Sequence, residues 1–373
     1  MKTSGQPTEV LLAIVILNWN GWRDTIDCLE SIFSTDIENY LVIVVDNAST
    51  DNSVERIREY CNGNVLPNQR ECRQSPKPIF VLESAPSEIS RRILSLMLLQ
   101  FQSNSRLLLI RNPENLGYAG GNNIGIQCAL ETVNPRFVLV LNNDVTVTPT
   151  AIPSLLKLAS SRTTAGAVAP LICPVLPAGD SNLDEDYGVT RFWSSILLEK
   201  RYKSRNLAPP SGAIYPSETL QGSCILFRSE ALRKVGLFDS SFFLYWEDTD
   251  ICLRLRDAGY LLLVSTDARV WHKIARSMAR TGGVSYYYFV RNRFLLVAKH
   301  KTLFRYILYT VYFIVFATWK DQVGWILRRQ RFGIIGYYRA VVDGLRAGIL
   351  RYTEHVQLRS AKQANLGGCE QKQ

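Results

Sequence analysis

The 373-residue sequence has no Cys-x-x-Cys pair, and several of its eight cysteines lie within apolar runs, as small hydrophobic residues do. This pattern favours a reducing, cytosolic compartment. No uninterrupted apolar run reaches the roughly 20 residues that a membrane-spanning helix needs. Charged residues make up 20% of the chain and hydrophobic residues 47%. These ordinary values exclude a disordered tail protein, a collagen-like chain and a multi-spanning membrane protein.

Acidic residues are scarce in the last third of the chain. Residues 269–373 carry 19 Lys and Arg against 4 Asp and Glu, whereas residues 1–268 carry 24 against 29. The net charge of +10 therefore arises in the C-terminal third, which indicates an anionic partner: nucleic acid, a lipid surface or a phosphorylated substrate. The same third is rich in aromatic and aliphatic runs, which suit lipid better than a groove that tracks phosphates, so no nucleic-acid partner is expected.

Residues 303–319 form the most apolar window, and aromatic residues recur within it. Such a helix, flanked by cations, is predicted to lie in the headgroup layer of an anionic membrane. A buried helix packed on a catalytic domain explains the apolar pattern equally well, and it is the basic flanks that favour the membrane surface. These flanking residues are Lys299, Lys301, Arg305, Lys320, Arg328, Arg329 and Arg331.

Short β-branched runs alternate with helical patterns through the first 170 residues. The continuous apolar character of the runs is typical of strands covered on both faces, which predicts an α/β fold with a mostly parallel central sheet. Residues 62–105 break the pattern and are interpreted as an insertion with one helix at 88–102. Strands are predicted at 10–17, 41–46, 106–111, 137–142 and 166–170, and helices at 24–33, 51–60, 120–130 and 150–159.

Polar groups follow each of the first four predicted strands: Asn18-Trp19-Asn20, Asp46 to Asp51, Asn112 to Asn115, and Asn142-Asn143-Asp144. Each group by itself could be a turn, where Asn and Asp are favoured. Sites on open parallel sheets lie at the carboxyl ends of the strands, and four polar groups at one edge indicate such a site. Asp144, directly after a buried strand, suits a divalent cation that bridges a diphosphate.

Three acids, Glu247, Asp248 and Asp250, follow the aromatic run that ends at Trp246. They come at a predicted helix start, where the dipole favours the charged carboxylate, and an ionised carboxylate can act as a general base. Helix capping explains one of these acids but not three after an aromatic run.

Two other groups of residues have competing explanations. Arg291 and Arg293 follow the aromatic run 286–289, which suits recognition of a diphosphate and a sugar. An aromatic helix face in the core with solvated arginines is an equally good explanation. His272 is one of only three histidines, and a lone histidine is more often a structural residue than a ligand.

Together these residues resemble family 2 glycosyltransferases, with the bacterial rhamnosyltransferase-like branch as the nearest variety. The similarity covers residues 10–300 except the insertion, and the ordered set is more specific than any single motif. The motifs are Asn18-Trp19-Asn20, Asp46 to Ser53, Asn115-x-Gly117-x-x-x-Gly121-x-Asn123-x-Gly125, Asn142-Asn143-Asp144, Trp246-Glu247-Asp248-x-Asp250 and Trp271-His272.

The resemblance implies a GT-A fold over residues 1–300, a nucleotide-binding α/β sandwich joined to an acceptor-binding half. The charge and apolar pattern predict a separate basic, aromatic-rich helical region at 301–373. It implies Asp248 as the catalytic base, and Asp144 and His272 as ligands of Mg²⁺ or Mn²⁺. Asn142 stands where the family has a first Asp, so one charged ligand is missing. Donor contacts are expected from Asn18, Asn20, Asp46, Asn115, Gly117, Asn123, Asn142 and Asn143. Acceptor or phosphate contacts are expected from Trp246, Glu247, Asp250, Arg291 and Arg293.

The resemblance also implies a function, an inverting transfer of a sugar, rhamnose or another hexose, from a nucleotide-diphosphate donor to a glycan or lipid-linked acceptor. The expected location is cytoplasmic and peripheral, on the inner face of the cell membrane, with an anionic membrane surface as a partner. A catalytically inactive membrane adaptor and a transferase acting directly on a polyprenyl phosphate are the alternatives. A Rossmann dehydrogenase is excluded because no Gly-x-Gly-x-x-Gly opens a helix after the first strand.

Overall fold

A computed structural model describes residues 11–67, 75–88, 106–175, 190–192, 199–201, 212–318 and 334–367. These residues fall into two compact units. The first, an α/β unit, runs to Ser277 and leaves out Leu244–Trp246. The second, a helical unit, takes in Leu244–Trp246 and the chain from Met278 onward.

The α/β unit is built on a mixed sheet with the strand order β10-β12-β7-β11-β5-β1-β2-β4-β3, and β6 pairs with β12. Pairing is parallel from β5 through β1, β2 and β4 to β3, and between β7 and β12. The strands are β1 (Leu12–Asn18), β2 (Tyr40–Asp46), β3 (Phe80–Ser84), β4 (Arg106–Arg111), β5 (Phe137–Asn142), β6 (Val145–Val147), β7 (Ala165–Pro174), β10 (Ile214–Pro216), β11 (Cys224–Arg228) and β12 (Leu261–His272), with β8 (Thr190–Phe192) and β9 (Glu199–Arg201) paired separately.

Helices cover both faces of this sheet. Alternate residues of β1 enter two different cores, Leu12, Ile14 and Ile16 on one face and Ala13 and Val15 on the other. This two-sided burial is the reason that the strand reads as a continuous apolar run. The helices are α1 (Trp22–Phe33), α2 (Ser53–Cys61), α3 (Gly117–Thr132), α4 (Ala151–Ser161), α5 (Ser229–Val235) and α6 (Glu247–Asp257).

The α/β fold with parallel pairing is confirmed, and every strand and helix predicted within the first 170 residues is present outside the insertion. The insertion contributes a strand that the sequence did not predict. β3 pairs in parallel with β4 at the edge of the sheet. Its apolar run, Ile79 to Leu82, has only four residues and directly follows Pro76-Lys77-Pro78, so it was not recognised as a strand. The helix predicted at 88–102 lies outside the described residues, apart from Glu88.

The helical unit contains α7 (Ile274–His300), α8 (Leu303–Tyr312), a π-helical turn (Phe313–Ala317) and α9 (Ile334–Gly367). Its core is aromatic: the Phe294 and Phe313 rings lie 4.8 Å apart, and Phe313 stacks on Tyr337 at 6.4 Å. The unit takes in most of α7, which the sequence boundary at 300 assigned to the preceding domain. In the described part of the chain, no helix combines the length and the apolar content that crossing a membrane requires.

Candidate active site

A buried polar network joins the ends of β1 and β2. The parallel register sets Asn18 beside Asp46, and Asn18 Nδ2 donates to Asp46 Oδ1 at 2.8 Å. Ser49 donates to the same carboxylate with its hydroxyl (2.6 Å) and its backbone N–H (3.1 Å), and the Thr25 hydroxyl donates to Asn18 Oδ1. Asp46 is only 4% exposed, so donors from the protein take the place of water around its charge.

Asn20 ties the β1 end to the loop after β2. It adopts a left-handed backbone conformation with φ of 51°, and its Oδ1 accepts from the backbone N–H groups of Thr50 (2.7 Å) and Asp51 (3.1 Å). Three predicted donor-binding residues, Asn18, Asn20 and Asp46, are thus brought together at one edge of the sheet. Their direct contact with a donor stays a prediction.

Asn47 links the β2 end to the loop after β4, a role that the sequence analysis did not assign. Its Nδ2 donates to Asn115 Oδ1 at 2.8 Å and to the Gly117 carbonyl at 3.1 Å, while its Oδ1 accepts from the Leu116 N–H at 3.1 Å. The sequence contained a sign of this role, because Asn47 directly follows Asp46 in the same polar run. The network holds Asn115 and Gly117 close to the β2 end.

The start of α3 in turn holds the loop that leads to α6. Gly117 has φ of +70°, and a Cβ on it would lie 2.5 Å from the Phe243 carbonyl oxygen, so glycine is required there. The Tyr118 N–H donates to the same carbonyl at 2.6 Å. Asn123 exchanges two hydrogen bonds with the Phe238 backbone, at 2.7 and 3.0 Å. Gly117 and Asn123 therefore have structural partners, and their contact with a donor stays a prediction.

Asp144 and His272 come together through the pairing of β6 with β12. The register sets His272 opposite Val145, which brings His272 Nε2 to 3.1 Å from Asp144 Oδ1. Both side chains are buried. Two ligands at right angles, each about 2.1 Å from an ion, lie about 3 Å apart, so this pair has the spacing of a divalent-cation site.

Asn142, two residues before Asp144 in the chain, is a further candidate ligand through its side-chain oxygen. Its Oδ1 and His272 Nδ1 are buried without a hydrogen-bond partner among the residues that the structure describes. Carboxylate, imidazole and amide oxygen are all ligands that Mn²⁺ and Mg²⁺ accept. The described residues contain no group of three or more His, Cys, Asp or Glu side chains that could hold an ion. Phosphate oxygens and water would therefore have to complete the coordination.

Two side chains, through contacts that the sequence did not predict, anchor this region to α1. Asn143 Nδ2 donates to the Thr25 hydroxyl at 3.1 Å. Lys273 Nζ, directly after His272 in the chain, donates to Asp24 Oδ1 at 3.0 Å and Asp27 Oδ2 at 2.8 Å. Burial alone lowers the pKa of Lys273, but hydrogen bonds and charges from the two carboxylates outweigh it and raise the pKa. The end of β12 is thereby clamped to α1.

Asp248 lies in the first turn of α6, which begins at Glu247. The Gly222 N–H donates to Asp248 Oδ2 at 2.9 Å, and the Thr249 N–H donates to Oδ1 at 2.6 Å. Tyr118 donates its hydroxyl to the Gly222 carbonyl at 2.6 Å, so it holds Gly222 through the peptide group that follows the one bound to Asp248. Burial raises the pKa of Tyr118 well above its usual range, which keeps its hydroxyl a donor.

The segment of Gly222 and Ser223 connects the Asp248 carboxylate to the metal-ligand candidates. While the Gly222 N–H binds Asp248, the Ser223 carbonyl accepts from the Asn142 N–H at 2.9 Å. β11, which follows directly, pairs antiparallel with β5 and fixes this arrangement. Neither residue was predicted, because a Gly-Ser pair carries no chemistry that sequence alone can recognise.

The other two acids of α6 differ from Asp248. Glu247 is buried, its Oε2 has no hydrogen-bond partner in the described chain, and burial together with the charge of Asp248 raises its pKa well above the usual range. Asp250 is fully buried and paired with Arg254 at 2.8 Å. Arg254 also donates to backbone carbonyls of residues 235–237. Asp250 therefore anchors α6, and an acceptor contact by either acid stays a prediction.

The remaining predicted contacts belong to the helical unit. Trp246 Nε1 donates to the Phe289 carbonyl at 3.0 Å, and Asn292 Nδ2 donates to the carbonyls of Leu244 (2.8 Å) and Tyr245 (3.0 Å). Tyr245 and Trp246 have φ of 67° and 75°, uncommon for residues with large side chains. Helix α7 thus holds the strained segment that directly precedes the acids of α6 in the chain.

Arg291 and Arg293 also have partners within the helical unit. Arg291 Nη1 donates to Asn292 Oδ1 at 2.7 Å, and the Arg293 guanidinium lies 4.5 Å from the centre of the Phe289 ring. These contacts agree with the aromatic helix face considered in the sequence. A phosphate contact by either arginine stays a prediction.

Two models of known protein families match most of the chain. A model of "Glycosyl transferase family 2" matches residues 13–78, and a model of "Glycosyltransferase like family 2" matches residues 98–282. Together the two matches cover more than half of the chain. They include every predicted site residue except Arg291 and Arg293.

Several characterised proteins are similar in sequence. The low-salt glycan biosynthesis hexosyltransferase Agl10 of Haloferax volcanii is 32% identical over 42% of this chain and 48% of its own length. The N-acetylglucosaminyl-diphospho-decaprenol L-rhamnosyltransferase of Mycobacterium tuberculosis is 35% identical over 46% of this chain and 60% of its own length. The rhamnosyltransferase WbbL of Escherichia coli is 27% identical over 39% and 56%. The chain thus matches about half the length of these relatives.

Solved structures with a distant similarity include the mannosyltransferase PcManGT from Pyrobaculum calidifontis, in complex with GDP-Man and Mn²⁺. It is 14% identical, with a TM-score of 0.48 over 96% of this chain and 79% of its own. TarS 1–349 of S. aureus, in complex with UDP-GlcNAc, is 13% identical, with a TM-score of 0.49 over 90% and 81%.

Proposed function

Because the chain belongs to glycosyltransferase family 2, we propose that its α/β unit transfers a sugar from a nucleotide-diphosphate donor to a hydroxyl group of a glycan or lipid-linked acceptor. One observation carries this proposal. Gly222 donates its N–H to the Asp248 carboxylate and the Ser223 carbonyl accepts from the Asn142 N–H, so two adjacent residues link the proposed base to the strand end that leads to Asp144.

In the proposed mechanism, Asp248 accepts the proton of the acceptor hydroxyl, whose oxygen attacks the anomeric carbon in line with the departing diphosphate. A single displacement inverts the anomeric centre, and no second nucleophile is needed. Two backbone N–H donors keep the carboxylate oriented before the acceptor arrives, and the Tyr118 hydroxyl holds one of the donor residues, Gly222, through its carbonyl. Mg²⁺ or Mn²⁺, held by Asp144, His272 and Asn142, would neutralise charge on the leaving diphosphate.

The donor site is proposed at the same edge of the sheet. Asp46 and Asn47 organise the strand ends into preformed polar loops, an arrangement that supports recognition of a nucleoside by fixed donors and acceptors. The relatives named as rhamnosyltransferases support rhamnose or another hexose as the transferred sugar. The name of the mycobacterial relative supports a lipid-linked acceptor, which would be reached at the inner face of a membrane.

Two alternatives remain as outcomes of the test. An inactive adaptor would bind the nucleotide sugar without turnover, and a transferase acting on a polyprenyl phosphate would release nucleoside diphosphate only with that acceptor. The presence of Asp144, His272 and Asp248 in one unit favours an active enzyme over an adaptor.

A thermal-shift panel of nucleotide sugars, with Mn²⁺ or with chelator, tests the donor and the metal together. A donor at about 100 times its Kd should stabilise the protein by about 2.7 kcal/mol, and most of this stabilisation should require Mn²⁺. Asp144→Asn should remove the Mn²⁺-dependent part, whereas the exposed control Asp36→Asn should retain it. Stabilisation by no nucleotide sugar, or an undiminished Mn²⁺ effect in Asp144→Asn, would contradict the proposal.

A further inference from the structure

The outer face of α8 is apolar and exposed. The opposite face carries Tyr306, Tyr309 and Phe313, which are buried in the core of the helical unit. A surface helix of a globular domain normally has a polar outer face, so this helix is unusual in being apolar on both sides. The outer residues recur at helical spacing through the π-helical turn, with exposed fractions from 39% to 69%: Leu303, Phe304, Ile307, Leu308, Val311, Ile314 and Val315.

Helix α9 carries a second exposed apolar stripe, which the sequence analysis did not identify. Its buried face contributes Tyr337, Ala340 and Val341 to the same core. The opposite face repeats large side chains at intervals of three, four and seven residues, so they form one stripe along the helix. The residues of this stripe are Ile335, Tyr338, Val342, Ile349 and Leu350, all 48% exposed or more.

The two stripes belong to one antiparallel helix pair. Near one end, the Tyr306 ring packs against Tyr352 at 5.3 Å and its hydroxyl donates to the Leu345 carbonyl at 3.3 Å. Near the other end, Phe313 stacks on Tyr337. Gly348 permits this approach, because a Cβ on it would overlap the Tyr306 hydroxyl. We define the exposed residues of both stripes together as the apolar face, and that the two stripes meet one common surface is inferred as part of the docking proposal.

The segments that carry the apolar face are strongly basic. Described residues 299–318 and 334–352 contain six Lys and Arg side chains and a single carboxylate. Long basic side chains can extend from an apolar surface to reach anionic headgroups, while their stems stay in the apolar layer. The six cations are Lys299, Lys301, Arg305, Arg339, Arg346 and Arg351, and the carboxylate is Asp343.

This charge distribution distinguishes between possible occupants. A second copy of the chain would have to bring its own six cations against these six, because a symmetric interface uses the same patch twice. An anionic lipid bilayer offers the opposite charge together with an apolar interior. The continuous helical run of α8 and the π-helical turn, Leu303–Ala317, has 15 residues and is about 22 Å long, short of the roughly 30 Å hydrocarbon core, so this described run is suited to lie in the interface rather than to cross it.

We propose that α8 and α9 together form a docking face for an anionic lipid bilayer, with both apolar stripes inserted among the acyl chains and the flanking cations at the headgroups. The proposal deepens the proposed function. It rests on that function in one respect only, because presenting a lipid-linked acceptor to the enzyme is the purpose of the docking. Docking itself involves neither donor nor acceptor, so a failure of sugar transfer leaves it unaffected.

Vesicle flotation of the full chain tests the docking face. The protein should bind phosphatidylcholine vesicles containing about 30% phosphatidylglycerol, at least about tenfold more tightly than pure phosphatidylcholine vesicles, and less tightly as salt rises from about 50 to about 500 mM. Phe304→Glu with Ile307→Glu, and separately Ile335→Glu with Val342→Glu, should each weaken binding by about tenfold or more. The control Leu66→Glu, an exposed residue of the α/β unit, should bind like wild type.

Circular dichroism and the thermal midpoint should be unchanged in these variants, because every substituted side chain is exposed. Binding that is unaffected by the α9 pair would overturn the two-helix face, and binding equal on neutral and anionic vesicles would overturn the assignment to anionic lipid. Sedimentation of the protein without vesicles tests the remaining possible occupant, a second copy of the chain. A stable dimer that both glutamate pairs dissociate would replace the membrane with a second copy.

Discussion

The two units depart from the usual distribution of polar and apolar side chains in opposite ways. The α/β unit buries charged and amide side chains at its strand ends and in α6, including Asp46, Asp144 and Asp250. The helical unit exposes large hydrophobic side chains, such as Phe304 at 69% and Ile335 at 85%. One unit carries polar groups inside, and the other carries apolar groups outside.

Each departure costs free energy in the isolated protein and therefore indicates what the unit binds. Buried polar groups are tolerated where hydrogen bonds hold them, and such networks keep a site in shape before its ligand arrives. Contiguous exposed apolar surface is rare on monomers and indicates a surface that something else covers. The comparison is consistent with both proposals, a small polar ligand for the α/β unit and an extended apolar partner for the helical unit.

The largest expected effect is on kcat, and it tests whether chemistry in the α/β unit is independent of docking in the helical unit. Asp248→Asn should lower kcat by about 10²- to 10⁴-fold, the usual contribution of a general base. Donor-induced thermal stabilisation and vesicle binding should stay at wild-type levels. The control Asp257→Asn, an exposed residue on the same helix, should retain activity. Wild-type turnover in Asp248→Asn would refute its assignment as the base.

A smaller effect is expected from Asn292→Ala, which asks whether the helical unit also contributes to catalysis. Loss of the amide removes a donor from the carbonyls of Leu244 and Tyr245, in the strained segment just before the acids of α6. We expect kcat to fall about 10- to 100-fold through misplacement of Asp248, with donor binding unchanged. If the thermal midpoint falls but kcat does not, the Asn292 contact is merely structural, and the helical unit does not contribute to catalysis through it. Val284→Ala, at an exposed site on the same helix, serves as the control.

The smallest effect concerns the cost of burying Glu247 and is visible in the pH dependence of stability. Burial raises the pKa of Glu247 above its ordinary value of 4.5, so below that pH both the folded and the unfolded state hold the proton. Above it, the unfolded state ionises first, and stability falls by up to about 1.4 kcal/mol per pH unit until the folded-state pKa is passed.

Glu247→Gln cannot ionise, so its thermal midpoint should exceed that of wild type by a margin that grows from pH 4 towards pH 7, reaching a few degrees or more. Melting curves of both proteins across this range measure the margin. Glu230→Gln, at an exposed position, should show no such growth. A margin that is independent of pH would mean that Glu247 is ionised in the folded protein.

Much of the α/β unit was predictable because its strands are buried on both faces. Such strands read as unbroken apolar runs, and the polar residues after them identified the sheet edge that carries Asp46 and Asp144. β3 escaped prediction because it is a short edge strand, and the exposed stripe of α9 escaped because its apolar residues are interrupted by charges along the chain. Lys273, Gly222 and Ser223 could not be recognised, since each acts through a partner distant in sequence.

The sequence by itself determined the fold class, the family, the strand-end residues and the concentration of positive charge in the last third, because periodicity, local motifs and composition are properties of neighbouring residues. Only the tertiary structure decided which of these residues meet. The β6–β12 register brought His272 to Asp144. The β5–β11 pairing linked Asp248 to Asn142 through Gly222 and Ser223, and helix packing left two apolar stripes uncovered. These are consequences of long-range pairing and burial, which no local pattern encodes.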